Sequence, residues 1–384
     1  MAGIYIHIPF CKKICNYCDF YKIQTLEAIP GYLASLKKEI DARRNYLNGE
    51  IIETIYFGGG TPSVLKVSEI SDILDQIRHT QPVSENCEIT LEANPDDLST
   101  RYLEEIRSET GINRISIGIQ SFDDVFLRLL NRRHNAQQAL ESISYAKHAG
   151  FENISLDLIY CIPGMKSQDW LKTLEIAFRA GIKHISAYHL TIEPSTPLAA
   201  MRDKGAIETV DEEESVLQFG ILSEQARLYD FVHYEISNLA KEGFLSVHNS
   251  NYWKQKKYLG LGPSAHSYNL VSRQWNIPDT FGYMRAIDNG TFSFNVEDTD
   301  LVKRFNEYIM VSLRTIWGAN LEYMANEFGK VLTGKFVERI GEFVKSGHVV
   351  LADEKCTMTS EGWLISDFII SRLMTRDEDI RKPC

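Results

Sequence analysis

A fourth cysteine is missing where the sequence most invites one. The segment HIPFCKKICNYCDFYK, residues 7 to 22, carries Cys11, Cys15 and Cys18, and then Asp19 and Phe20 stand where another thiol would close a four-ligand metal site. The other four of the seven cysteines, Cys87, Cys161, Cys356 and Cys384, form no second pair. That weakens a structural zinc site, which takes four ligands as two pairs, and leaves an iron–sulfur cluster or a soft copper site as the alternatives. The ferredoxin run ending in Cys-Pro is absent too. An odd count of cysteines argues against a disulfide framework and for reduced thiols that bind metal. Three thiolates on a four-iron cluster leave one iron open to an outside ligand.

Other things are scarce. No apolar run approaches the roughly 18 residues that cross a bilayer, and the opening MAGIYIHIPF lacks the basic n-region and cleavage signature of a signal peptide. A cytoplasmic location is expected. Basic excess is missing as well: the net charge is −11, whereas phosphate neutralisation requires a basic surface, so no nucleic-acid partner is expected. What is present is globular composition, 44% hydrophobic and 24% charged over 384 residues.

Three segments share a pattern: GINRISIGIQ at 111–120, GFENISLDLI at 150–159 and GIKHISAYHL at 181–190. Each opens with Gly and carries Ile-Ser at the same offset. The stretches before the last two, NAQQALESISYAKHAG and SQDWLKTLEIAFRAG, have helical periodicity and end in a Gly suited to the position after a helix. Similar strand patterns occur at GIYIHIP, TIYFGGG, EITLEANP and FVHYEIS. Strands alternating with helices six or seven times predict an α/β fold with parallel βα units closed into a complete or partial TIM-like barrel. Alternation assigns the faces. Ile115, Ile117, Ile119, Ile154, Leu156, Leu158, Ile185 and Ala187 should pack on the helices. Ser116, Gly118, Gln120, Ser155, Asp157, Ser186, Tyr188, Tyr5, His7, Thr90 and Glu92 should point into the barrel. A barrel lined this way holds a ligand.

From about residue 295 the pattern changes to helices, a hairpin at HVVLADEKCTMT and a last helix at WLISDFIISRLM. The expected division is a βα barrel with its extension over 1–294 and a small, mainly helical, winged-helix-like domain over 295–384. The glycine run in YFGGGTPS, Tyr56 to Ser63, ends the second strand, where bare backbone N–H groups can hold a carboxylate. Glu92, Gln120 and Asp157 fall near strand ends on the inward face, where βα barrels place their chemistry, and Arg132 lies in LLNRRH.

The C-x3-C-x2-C loop directly after a first strand resembles the radical S-adenosylmethionine (SAM) superfamily. In that superfamily the open iron is chelated by the amino and carboxylate groups of SAM, and an electron from the cluster cleaves the sulfonium to give a 5′-deoxyadenosyl radical. Within it, IYIHIPFCKKICNYC, YFGGGTP, GIQSF, LNRRH, LDLIYCIPG and HYEISNLA together resemble oxygen-independent coproporphyrinogen III oxidase and its paralogues, the HemW-type heme chaperones. The resemblance implies a [4Fe–4S] cluster on Cys11, Cys15 and Cys18. It also implies SAM contacts by Tyr5, Tyr17, Gly59, Gly60, Thr61, Glu92, Gln120, Arg132 and Asp157.

Two departures separate the chain from the oxidase: Phe20 where the oxidase has a further cysteine, and a first strand that begins within a few residues of Met1 where the oxidase has an extension. HNSNYW, His248 to Trp253, looks like the H-N-x-x-Y-W motif of the heme chaperones, which makes His248 the candidate heme ligand and His266 a second one. The implied function is binding of heme, cluster and SAM and delivery of heme to acceptor proteins of respiration, membrane respiratory complexes among them. Radical decarboxylation of coproporphyrinogen is the alternative.

Overall fold

Strand and helix alternate through the first half of the computed structural model, which describes residues 1–292 and 294–376; Cys384 lies outside them. Six strands run parallel: β1 (Ala2–Ile8), β2 (Ile52–Gly59), β3 (Val83–Ala93), β4 (Arg114–Gln120), β5 (Asn153–Tyr160) and β6 (His184–His189). They lie side by side in chain order. Between them run α1 (Ile29–Ala42), α2 (Val67–Thr80), α3 (Thr100–Glu109), α4 (Asp124–Leu129), α5 (Ala136–His148) and α6 (Ser167–Arg179). Helix α5 starts on a capping box in which Asn135 and Gln138 serve each other's backbone N–H. After α5 and α6 the chain turns through Gly150 (φ +84°) and Gly181 (φ +67°), the left-handed exit the repeated pattern predicts.

The two strand faces separate as alternation predicts. Ile115, Ile117, Ile119, Ile154, Leu156, Leu158, Ile185 and Ala187 are each at most 1% exposed against the helices. Burying one such Ile or Leu side chain contributes about 1.5–3 kcal/mol. On the inner face Ser116 sits opposite Ser155, while Ser186 sits opposite Asp157. The third Ile-Ser unit is therefore staggered, and His184 comes to face Ser155, to which its Nδ1 is hydrogen-bonded at 2.7 Å.

FVHYEIS does not add a seventh parallel unit. After α7 (Pro197–Asp203) and α8 (Glu212–Leu228), β7 (Val232–Glu235) reverses into β8 (Asn238–Ala240), and β8 pairs antiparallel with β6. The reversal is locked by the Glu235 carboxylate, which accepts from Ser237 N at 3.1 Å and from the Asn238 amide. Ser237 O then accepts from Ala187 N at 2.7 Å, fixing the turn on β6. At the other flank, α9 (Val247–Trp253) leads into β9 (Lys257–Leu261), which pairs parallel with β1. An antiparallel run follows through β10 (His266–Tyr268), β11 (Ser272–Asn276) and, after α10 (Thr280–Asp288), β12 (Phe294–Asp298). Among the described residues no ladder joins β7 or β8 to β9–β12. The barrel is partial, with a lateral gap.

The C-terminal part begins with α11 (Leu301–Leu313) and β13 (Ala319–Asn320), then α12 (Leu321–Phe328) and α13 (Lys330–Lys345). A hairpin, β14 (Val349–Ala352) and β15 (Lys355–Met358), turns through left-handed Asp353 and Glu354. Helices, small strand and hairpin follow one another as in a winged helix. The expected last helix is split into α14 (Ser360–Leu364) and α15 (Ser366–Leu373). Trp363 is held there, its indole N–H donating to Leu313 O at 3.3 Å, and Ile365 leaves helical geometry next to it. No helix among the described residues is long and apolar enough to cross a membrane.

Candidate functional site

The C-terminal ends of all six parallel strands surround one cavity of about 390 Å³, the position βα barrels reserve for chemistry. Cys11, Cys15, Tyr17, Cys18, Gly59, Gly60, Thr61, Glu92, Gln120, Arg132 and Asp157 all line it. Eleven of the fourteen site residues named from sequence are thus gathered by the fold. Tyr5, His248 and His266 are not among them.

The cysteine loop is held open from below. Asn16 donates from N to Leu130 O at 3.1 Å and from Nδ2 to Leu129 O at 2.8 Å, and Asn131 Nδ2 donates to Ile14 O at 2.8 Å. Lys12 reaches Asp97, which also binds Arg133 and Ser63 at 2.7–3.1 Å. Within the cavity the Thr61 hydroxyl donates to Cys11 Sγ and Arg132 Nη1 donates to Cys15 Sγ, each at 3.3 Å. Burial pushes the Cys11 thiol up to about 11 and raises Cys18 as well. No three His, Cys, Asp or Glu side chains among the described residues converge on a single ion. A cubane spreads its thiolates over different irons, so a loop built for one spaces its sulfurs wider than a single-ion site. The donor set fits three corners of such a cluster.

The rest of the cavity fits a small zwitterion bearing an amino acid group. Gly59 (φ +105°) and Gly60 bring bare backbone to its edge, and a Cβ on Gly60 would lie 2.8 Å from Ile8 O. Glu92 accepts from the Tyr56 hydroxyl at 2.7 Å and from Gly59 N at 3.2 Å. Burial, with Asp157 adding to it, still lifts its carboxyl to about 7. Asp157, raised by burial, accepts from Ser116 Oγ at 3.0 Å. Arg132 is thrown inward because the chain leaves α4 through left-handed Asn131 (φ +60°), with Arg132 N donating to Leu127 O at 2.9 Å. Its Nη2 donates to Asn94 Oδ1 and Gly118 O at 2.6 Å, while its buried Nε has no partner. A buried donor left over at a cavity wall is capacity for a ligand.

Tyr5 lies one layer deeper, its hydroxyl 3.2 Å from His7 Nδ1 and its ring stacked beside Tyr56. Deeper still is Arg114, 1% exposed, with Nε and Nη1 unpartnered. Sequence reasoning missed it, although it precedes Ser116 by two and shares its face. Asn94 and Tyr188 were missed as well, though Tyr188 had been assigned to the inner face.

His248 belongs to the opposite, N-terminal end of the barrel. Helix α9 plugs that end, its Val247 and His248 N–H groups donating to the Glu88 carboxylate at 3.0 and 2.9 Å. His248 is 2% exposed and stacks on Tyr56 at 4.9 Å. Its Nδ1 meets Thr54 Oγ1 at 2.8 Å and its Nε2 meets the Tyr252 hydroxyl at 2.9 Å. Burial, with Arg114 adding to it, lowers the imidazole to about 3. His266 is exposed and stacks on Trp275 at 5.8 Å.

Comparison with known proteins follows the same lines. Residues 5–190 match the radical SAM superfamily. The chain is 32% identical to the heme chaperone HemW of Bacillus subtilis over 97% of this chain and 99% of that one. It is 37% identical to HemW of Buchnera aphidicola over 85% and 82% of the two chains. Among solved structures, coproporphyrinogen III oxidase (HemN) from Escherichia coli superposes with a TM-score of 0.85 at 21% identity, covering 97% of this chain and 90% of that one. That likeness, at such identity, speaks for the fold.

Proposed function

The chain belongs to the HemW family of radical SAM proteins, and from that premise we propose that it is a heme chaperone: it binds heme, a [4Fe–4S] cluster and SAM, and hands heme to acceptor proteins. The observation that carries this reading is the joint presence of a cofactor cavity holding three thiols and of the HNSNYW helix seated in the opposite end of the barrel. Cys11, Cys15 and Cys18 would hold the cluster. Gly59, Gly60 and Thr61 would receive the amino acid end of SAM, with Glu92, Gln120, Arg132 and Asp157 around the rest. The bound cluster and SAM together supply one-electron chemistry.

The protein's own part is placement. Arg132 ties the Cys15 thiol to the Gly118 strand end, so one side chain sets the distance between the cluster loop and the cavity floor. Thr61 does the same for Cys11 and the glycine turn. Glu92 and Asp157 hold carboxyls in a site poor in water, where either charge is stabilised once a cation arrives. None of the three cysteines forms a disulfide.

The test is direct. Purified protein given hemin develops a Soret band at micromolar concentration and, when mixed with membranes from heme-starved cells, loses it to the membrane fraction. Absence of any heme-dependent spectrum would sink the chaperone reading.

A further inference from the structure

A second cavity, of about 430 Å³, opens in the lateral gap of the barrel. β6, β7 and β8 bound it on one side, β9 and β10 on the other, and α11 lies across it through Met310 and Val311. Tyr188 lines both this cavity and the cofactor cavity, so one phenol ring forms part of the wall of each. The lateral walls are flat rings: Tyr252 meets Tyr258 edge to face at 4.7 Å, and Tyr258 meets Tyr268 at 6.3 Å. The Asn238 amide, 4% exposed, lines it with an oxygen that has no partner. Aromatic walls, with the cations Lys256 and Arg273 also in the lining, describe a ligand site for a flat, mostly apolar molecule with anionic edges.

An iron ligand needs a free lone pair. His248 has none to offer in this arrangement, because Thr54 and Tyr252 occupy both ring nitrogens and Tyr56 covers the ring. Tyr252 is different. It is half-buried, it lines the lateral cavity, and its hydroxyl already touches His248 Nε2. Phenolate is an established axial donor to ferric heme.

Building on the heme-chaperone reading, we propose that the lateral cavity is the heme site and that Tyr252 supplies the protein ligand to ferric iron, with His248 as the positioning residue behind it. On binding, the Tyr252 O–H bond breaks, an Fe–O bond forms, and the proton leaves to water through the open cavity that Tyr252 lines, since the buried imidazole beside Arg114 disfavours a second proton. Iron keeps its oxidation state, and no further reagent enters. The motif histidine then acts through its neighbour: it aims the phenol through the Nε2 contact. An anionic phenolate also binds ferric iron better than ferrous iron, which carries one positive charge less, so reduction loosens the cargo.

The experiment is a hemin titration of the full chain and of Tyr252→Phe, His248→Gln and, as a tyrosine on α5 away from the cavity, Tyr145→Phe, read by visible absorption and resonance Raman, with circular dichroism melts to establish folding. Wild type and Tyr145→Phe should show the ring modes of an iron-bound phenolate. Tyr252→Phe should lose those modes and roughly tenfold or more in affinity. His248→Gln should keep them at shifted frequency with a smaller loss, and dithionite should weaken wild-type binding. Folded Tyr252→Phe that binds heme as wild type does, or a wild-type spectrum of imidazole ligation that vanishes in His248→Gln, overturns the assignment while leaving heme binding intact. Failure of every form to bind heme instead overturns the chaperone reading itself.

Discussion

The two ends of the barrel use the same inward strand positions and finish in opposite conditions. At the C-terminal end three thiols carry no disulfide, the Arg132 Nε has no partner, and two buried carboxyls are pushed toward protonation. At the N-terminal end α9 is seated on Glu88, and His248 has both nitrogens satisfied. The Ser250 hydroxyl of α9 lacks a partner too, so the difference is one of charge: unpaired charged groups mark the end that receives the cofactors, and a seated helix N-terminus marks the end that holds the fold. Arg114, its Nε and Nη1 unpartnered midway between them, adds its charge to both: it opposes the burial that raises the carboxyls above and adds to the burial that lowers the imidazole below.

The contrast can be broken from either side. The largest effect belongs to the open end: replacing Cys11, Cys15 and Cys18 together by Ala should abolish cluster iron and sulfide after anaerobic reconstitution, with the circular dichroism spectrum unchanged. Next is the closed end. Glu88→Ala strips two helix N–H groups of their acceptor, and chemical denaturation should show a loss of about 2–3 kcal/mol; an unchanged midpoint would mean that α9 is held by packing alone.

A pH series sharpens the difference, because the two ends oppose each other. His248 titrates near 3 in the fold against an ordinary 6.5. The unfolded chain therefore binds the extra proton between those values, and this contribution to stability is full above pH 6.5 and is lost as pH falls toward 3. Glu92 titrates near 7 against an ordinary 4.5. Here the folded state holds the extra proton, so stability falls as pH rises from 4.5 to 7. Glu92→Gln should accordingly stabilise the ligand-free protein at pH 8 by about 1–3 kcal/mol and have little effect at pH 4.5, as thermal melts at the two pH values would reveal. The smallest effect is at Phe20, which is 69% exposed beside the cysteine loop. Phe20→Ala should leave cluster content unchanged and stability within about 0.5 kcal/mol.

Much of the open end is legible in the chain. Period-two alternation places Glu92, Gln120 and Asp157 on one face, and the glycine turn and cysteine loop follow strands whose order can be read directly. Arg114 obeys that alternation, so its inward direction is legible too, although its isolation is not. The closed end resists reading because its contacts are remote. Thr54 lies 194 residues from His248, and Glu88 lies 160 from it. Nothing local in HNSNYW says that both nitrogens will be occupied. The β7–β8 reversal is missed for a related reason, since FVHYEIS has a strand pattern while the turn after it is set by Glu235 reaching its own neighbours.

The central claim is that cofactors and cargo occupy separate regions of one barrel. Hemin titrated into the variant lacking all three loop cysteines tests it most directly. The account predicts one heme per chain with affinity within about threefold of wild type; loss of the Soret band in that folded variant would contradict it.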